Sequence, residues 1–348
     1  MKIYDGTYTR FPFTGAIGAL LEEPLWKTAQ QAKAEKKKIP VFFASDDNYV
    51  PFLDVAISSM KENSSKKYDY EVYVLHSGIN RESAEKVMRL SESGFRVYFV
   101  EVAEYLTDIA DFLSLRDYYT SAISYRLFIA DRFPQLDKAV YLDTDTVILG
   151  DVAELYETDL GANWIGAVAD GVVGANPVFC DYTKNALGID GEKYFNSGVI
   201  VMNLKKFREF GFYKKFSALL KKYPFRVAPD QDCLNILCEG RVAYVPETWN
   251  CMPQAVARQE APKLVHYNLA QKPWHYTDIP YQEYFWKYAE KSAFYKEICA
   301  HLDGFTPEMA QKDVEGGKNL LALAKREAES EENYFRVFGK KGKGNGGF

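Results

Sequence analysis

Val41-Phe42-Phe43-Ala44 is an apolar run that stops abruptly at Ser45-Asp46-Asp47-Asn48. A run this short, bounded by turn-forming polar residues, reads as a buried strand that delivers a loop to one edge of a sheet. The pattern recurs at Val72 to Leu75, at Val97 to Val100, and at Ala139-Val140-Tyr141-Leu142, which stops at Asp143. Between these runs lie helical patterns. Pro51 stands at a first-turn position, Phe52, Val55, Ala56 and Met60 mark one helical face, and residues 81–92 and 121–132 are helical in character. Strand alternating with helix predicts an α/β chain with a mostly parallel central sheet flanked by helices on both faces.

The rest of the chain extends the pattern. Val199 to Met202 reads as a strand, Lys205 to Lys222 as one largely helical stretch, residues 230–239 as a short helix and residues 242–245 as a strand. Lys263-Leu264-Val265-His266 ends a further strand, and the aromatic, amphipathic region 280–300 reads as helices that close the domain. Residues 1–38 form an N-terminal extension ending in the charged run Lys33, Glu35, Lys36, Lys37 and Lys38, so the ordered domain is expected to begin at Ile39. Residues 39–276 read as the main domain and 277–338 as a helical C-terminal part of it. Residues 339–348, rich in Gly and Lys, read as a disordered tail.

Composition narrows the function. A net charge of -5 argues against nucleic-acid binding, which needs a basic surface. The five cysteines are scattered without a CxxC pair, which fits a reducing compartment and packing roles. Residues 1–20 have no long apolar core, and no stretch is apolar enough for a membrane helix. The expected location is therefore cytoplasmic, with room for peripheral contact at the inner membrane face.

The sharpest chemical signal is Tyr141-Leu142-Asp143-Thr144-Asp145-Thr146. Four apolar or aromatic residues carry two aspartates to a strand's carboxyl end, where open α/β sheets bind ligands. In an extended segment Asp143 and Asp145 point to the same side. Two carboxylates there repel each other unless a cation lies between them, and oxygen ligands suit Mg²⁺ or Mn²⁺. Such an ion bridges the phosphates of a nucleotide donor. The string Asp-x-Asp-x-Thr also resembles the nucleophile motif of haloacid-dehalogenase-type phosphatases. In that reading Asp143 attacks phosphorus and Asp145 is the acid and base, but the motif belongs near the start of its domain.

Five segments in order resemble glycosyltransferase family 8, a retaining family with the GT-A nucleotide-diphospho-sugar transferase fold. They are Phe43-Ala44-Ser45-Asp46-Asp47-Asn48-Tyr49, Leu142-Asp143-Thr144-Asp145, Tyr194-Phe195-Asn196-Ser197-Gly198-Val199, Pro229-Asp230-Gln231-Asp232, and His266-Tyr267 with Lys272-Pro273-Trp274. The resemblance implies that Ala44, Asp46 and Asn48 contact the uracil and ribose of a UDP-sugar and that Tyr49 stacks on the base. It implies Asp143, Asp145 and His266 as ligands of Mn²⁺ or Mg²⁺, and Lys272 as a contact of the diphosphate. Arg126 matches a family arginine near donor phosphate or sugar, and Asp170, Asn196, Asp230 and Gln231 would line the sugar. Asp230 also reads as a helix cap.

By that resemblance the reaction is transfer of a hexose to a hydroxyl of a glycan or glycolipid acceptor with retention at the anomeric carbon. Either Asp230 forms a covalent intermediate, or the acceptor enters on the side of the departing phosphate with Gln231 on the opposite face. The chain departs from the family at Leu269, where glycine usually stands three residues after the histidine. Leucine there is expected to exclude a backbone shape that glycine allows, with a shifted loop, an altered donor pose or weak activity as the consequence. That departure keeps open an alternative, a sugar-binding or scaffold protein on a transferase fold.

Overall fold

The computed structural model describes residues 2–4, 36–103, 121–255 and 258–339. Ten strands are present among them: β1 (Lys2–Tyr4), β2 (Lys38–Ala44), β3 (Asp69–His76), β4 (Phe95–Glu101), β5 (Lys138–Leu142), β6 (Thr146–Ile148), β7 (Ile165–Ala169), β8 (Phe195–Asn203), β9 (Val242–Tyr244) and β10 (Leu264–His266). Eight form one sheet in the order β1-β4-β3-β2-β5-β8-β7-β9, and β10 pairs with β6 in a small antiparallel ribbon. The helices are α1 (Val50–Glu62), α2 (Arg81–Met88), α3 (Ile129–Arg132), α4 (Val152–Tyr156), α5 (Gly171–Ala175), α6 (Pro177–Tyr182), α7 (Leu204–Phe210), α8 (Phe212–Lys222), α9 (Pro229–Leu237), α10 (Gln282–Ala289), α11 (Tyr295–Asp303) and α12 (Pro307–Glu329). A 3₁₀ stretch, Ser121–Phe128, leads into α3.

The centre of the sheet is parallel: β3 runs with β2 and β4, and β5 runs with β2. Both faces are covered, which is why these strands read as continuous apolar runs. Along β2, Ile39, Val41 and Phe43 enter one hydrophobic cluster while Phe42 and Ala44 enter the other. β8 departs from the parallel pattern, lying antiparallel between β5 and β7. All but the last of its nine residues are buried, so its apolar run carries no mark of direction.

Three boundaries differ from the sequence reading. The N-terminal extension supplies β1, which pairs antiparallel with β4, and Lys38 already belongs to β2. Residues 5–35 lie outside the described residues, as do 340–348 of the expected tail. The stretch 205–222 is two helices, because Gly211 adopts φ +66 between α7 and α8.

α1 begins with Pro51 in its first turn, where a missing N–H costs nothing. Its Asp54, only 2% exposed, accepts a 2.6 Å hydrogen bond from Ser292 Oγ. That contact pins α1 to the turn between α10 and α11. Burial pushes the Asp54 carboxyl up from 3.8 to about 6, against the opposing effect of the Ser292 bond. The folded chain therefore holds this proton more tightly than the unfolded chain does. Stability is lost as pH rises through that window. Asp54→Asn removes the ionisation while keeping an acceptor oxygen. Its stability relative to wild type should rise by about 1–3 kcal/mol between pH 4 and pH 7. Thermal melts at both pH values check this, and a constant difference would contradict it.

α12 starts at the Thr306 cap, with Pro307 in its first turn. Its C-terminal half buries Leu323, Ala324 and Ala328 and packs on α6. Nearer its start, Asp313 Oδ2 accepts a 2.8 Å bond from Tyr276 Oη. The helix thus runs between the segment after Lys272 and the α6 wall. No helix among the described residues is long and apolar enough to cross a membrane.

Candidate active site

The chain passes from β2 outward through β3 and β4, then returns to place β5 on the other side of β2. Adjacent loops diverge at this switch point, and a crevice opens beyond the carboxyl ends of the two strands. Ala44 ends β2 and Leu142 ends β5, so the Asp46 and Asp143 loops share that crevice. The antiparallel β8 brings its opposite end to the same edge. Leu142 pairs with Val199, which sets Asn196-Ser197-Gly198 beside Asp143, and the Asp143 N–H donates to Gly198 O at 2.7 Å. The ribbon pairs His266 with Thr146, and Tyr267 N donates to Asp145 O at 2.8 Å.

Asp143 and Asp145 are not held by an extended segment, as their spacing suggests. Residues 143–145 form a bend between β5 and β6, closed by a 2.8 Å bond from Thr146 Oγ1 to Asp143 O. The carboxylates nevertheless converge with His266. One ligand atom from each of the three lies within 4.8 Å of the others. His266 Nε2 is 3.2 Å from Asp145 Oδ1 and 3.7 Å from Asp143 Oδ2. Gly198 makes the room. A Cβ there would lie 2.6 Å from Asp143 Oδ2 and closer still to His266 Cε1.

Two buried cations flank the acids. Lys272 Nζ donates to Asp145 Oδ2 and to Tyr267 O, each at 2.5 Å. Burial works against both charges, but this pairing holds the Asp145 carboxyl well below the usual range and the Lys272 ammonium above its own. Arg126, 1% exposed, donates to Asp143 Oδ1 at 3.1 Å and to Ser197 O, and its guanidinium lies 4.4 Å from the Tyr141 ring centre. Asp143 Oδ1 also accepts from Tyr141 Oη at 2.9 Å. One carboxylate oxygen of Asp143 is thus committed to the protein, and the other faces His266.

The remaining expected residues fall into three groups. Ala44, Asp46 and Tyr49 line the cleft, and Asp46 Oδ1 accepts from Tyr49 N at 3.1 Å. Asn48 does not join them. It is exposed in the single turn Asp47–Tyr49 and is not among the lining residues. Asp170, Asn196 and Gln231 form a connected wall. Asp170 caps α5 and its Oδ2 accepts from Asn196 Nδ2 at 3.0 Å and Gln231 Nε2 at 3.2 Å, while Gln231 Oε1 accepts from Ser197 N at 2.9 Å. Asp230 is not the cap of α9, a position held by Ala228. It sits inside the first turn, buried, with Oδ2 3.7 Å from Arg126 and no hydrogen bond on that oxygen. Burial raises its proton affinity and Arg126 opposes the rise.

Leu269 does not exclude the backbone shape expected of glycine at this position. Its φ is +53, so leucine takes the left-handed backbone that glycine would take freely, at a cost of about 1–2 kcal/mol. Neighbouring bonds hold it there: Lys272 N donates to Ala270 O at 2.8 Å and Gln254 Nε2 to Asn268 O at 2.9 Å. The side chain is 38% exposed and lines the cleft. Sequence reasoning missed Leu320 of α12, which lines the cleft, and Asn250, whose Oδ1 lies 3.1 Å from His266 Nδ1. Nothing in the local sequence around either residue marks it as part of a site.

A mixed sheet with paired acids at its switch point and two buried cations beside them defines a glycosyltransferase of the GT-A type. Residues 40–278 match the model of "Glycosyl transferase family 8", more than half of the chain, and the protein belongs to that family. This assignment displaces the phosphatase reading of the Asp-x-Asp-x-Thr string. A relative from Haemophilus influenzae is 30% identical over 215 residues, 61% of this chain and 63% of its own length. The "Lipopolysaccharide 1,2-glucosyltransferase" of Escherichia coli K12 is 29% identical over 254 residues, covering 68% of this chain and 72% of that one. The solved structure of galactosyltransferase LgtC with donor and acceptor sugar analogs superposes with a TM-score of 0.63 at 27% identity, covering 73% of this chain and 96% of that one.

Proposed function

We propose that the protein transfers a hexose from a UDP-sugar to a hydroxyl of a glycan or glycolipid acceptor, with retention at the anomeric carbon. On this reading it works in the cytoplasm, with peripheral contact at the inner membrane face. The observation that carries the reading is the convergence of Asp143, Asp145 and His266 on one point beside Lys272. The donor set fits Mn²⁺ or Mg²⁺: two carboxylates and one imidazole, with space kept by Gly198. When bound, the ion supplies charge stabilisation for the leaving diphosphate.

The chain's own groups complete the task. Lys272 is a buried point charge that compensates negative charge on departing UDP. Arg126 keeps Asp143 oriented through a bond to one oxygen, leaving the other toward the site. Ala44, Asp46 and Tyr49 border the end where a base and ribose would lie. Asp170, Asn196 and Gln231 offer paired donors and acceptors to a hydroxyl-rich sugar. Asp230 and Gln231 border the reacting face. Gln231 spends its oxygen on Ser197 and one amide hydrogen on Asp170, whereas Asp230 keeps an oxygen without a hydrogen bond. That contrast favours Asp230 as the group facing developing positive charge on the sugar. The left-handed backbone at Leu269 removes the main argument for a catalytically silent scaffold.

A screen of UDP-sugars with Mn²⁺ tests the proposal. One donor should raise the melting temperature and be consumed, with its anomeric configuration kept in the product by NMR. An inverted product rejects the retaining mechanism. No stabilisation by any UDP-sugar rejects the donor class.

A further inference from the structure

His266 presents one ring nitrogen to the acidic pair and the other to Asn250, and the question is which of them carries the proton. A fixed chain of hydrogen bonds answers it. The Gly198 N–H can only donate, and it donates to Asn196 Oδ1 at 3.0 Å. That places the oxygen of the Asn196 amide toward Asn250. Asn250 Nδ2 then donates to the same oxygen at 3.0 Å. The Asn250 amide is thereby oriented, and its Oδ1 faces His266 Nδ1 at 3.1 Å. An amide oxygen only accepts, so Nδ1 must bear hydrogen. Asn196, Asn250 and His266 are all at most 5% exposed, so water does not compete easily for these bonds.

We infer that Asn250, oriented through Asn196 by the Gly198 backbone, fixes His266 in the Nδ1–H tautomer and aims the Nε2 lone pair at the point shared by Asp143 and Asp145. Asn250 is a positioning residue, since it acts on the ion only through His266. The arrangement also explains why a cation belongs there. With Nδ1–H spent on Asn250, Nε2 is the nitrogen left to face Asp145 Oδ1 at 3.2 Å, where a cation between the two would be attracted to both. An imidazole locked by a partner on its outer nitrogen also binds metal better than one free to rotate or change tautomer.

This inference deepens the metal-site reading, so its test has one arm that does not depend on it. The chain has four histidines, which makes ¹⁵N-imidazole NMR assignable by single substitutions. In metal-free wild-type protein at a pH where the ring is neutral, His266 should show protonated Nδ1 and bare Nε2. Asn250→Leu should give mixed tautomers, and Asn250→Asp, which keeps an acceptor, should retain Nδ1–H. In the second arm, Mn²⁺ affinity by calorimetry should fall about ten- to a hundredfold in Asn250→Leu and much less in Asn250→Asp. Circular dichroism should report the same fold in both variants. A wild-type ring protonated on Nε2 overturns the inference, as does Asn250→Leu with wild-type tautomer and Mn²⁺ affinity. Wild-type protein with the Nδ1–H tautomer but no Mn²⁺ binding would sink the metal reading and leave the tautomer assignment standing.

Discussion

Asp145→Ala is expected to lower sugar transfer about a thousandfold or more and to abolish measurable Mn²⁺ binding. Asp145 is where the site's charges meet: Oδ1 faces His266 Nε2 and Oδ2 accepts from Lys272. Removing it takes away a proposed ligand. It also leaves the Lys272 ammonium, 6% exposed, with Tyr267 O as its remaining hydrogen-bond acceptor among the described residues. Breaking a buried pair in this way costs about 3–5 kcal/mol, so Asp145→Ala should also melt lower. Asp145→Asn separates the two effects. It keeps the volume and an acceptor for Lys272 but removes the charge, so transfer should collapse with a smaller loss of stability. Asp143→Ala should match Asp145→Ala in activity. Steady-state turnover and Mn²⁺ titration of the variants provide the check, and wild-type turnover in Asp145→Asn would end the metal-dependent account.

Gly198→Ala should be nearly as damaging by a different route. No charge is removed, but one methyl group would enter the space between His266 and Asp143, 2.6 Å from the Asp143 oxygen. Contacts that close force the ring and the carboxylate apart. Overpacking of a tight interior costs about 1–3 kcal/mol, so the domain should still fold. Mn²⁺ affinity and transfer should each drop by about a hundredfold, following the misplacement of a reacting group. A crystal structure of the variant, with a Mn²⁺ soak, would show the displaced imidazole. Unaltered affinity would mean that the site has more slack than the geometry allows.

The sequence exposed the architecture at β2 through β5, because strands buried on both faces have a simple signature and helices between them keep a clear period. Asp143 and Asp145 were visible for the same reason, as acids at the end of such a run. Their convergence was expected from an extended chain, yet it comes from a bend closed by Thr146. His266 could be placed only by resemblance, since its position depends on the ribbon register that pairs it with Thr146. Asn250 and Leu320 were illegible because each meets the site through tertiary packing between segments far apart in the chain. Asn48 shows the reverse limit. It lies within a recognisable segment, but a single turn leaves its side chain exposed. The Leu269 departure was visible, but its outcome was not, because neighbouring hydrogen bonds decide whether leucine tolerates a positive φ.

α12 lies beyond the segment matched by the family, yet it supplies Leu320 to the lining of the cleft and is tied by Asp313 to Tyr276. Under the proposed reading, two parts of the chain are therefore free to diverge at different rates. The shared core can preserve how the donor is activated while a peripheral helix reshapes what is admitted to receive the sugar. Selectivity for the recipient would then be altered most economically by exchanging this one element, with the acidic centre left untouched.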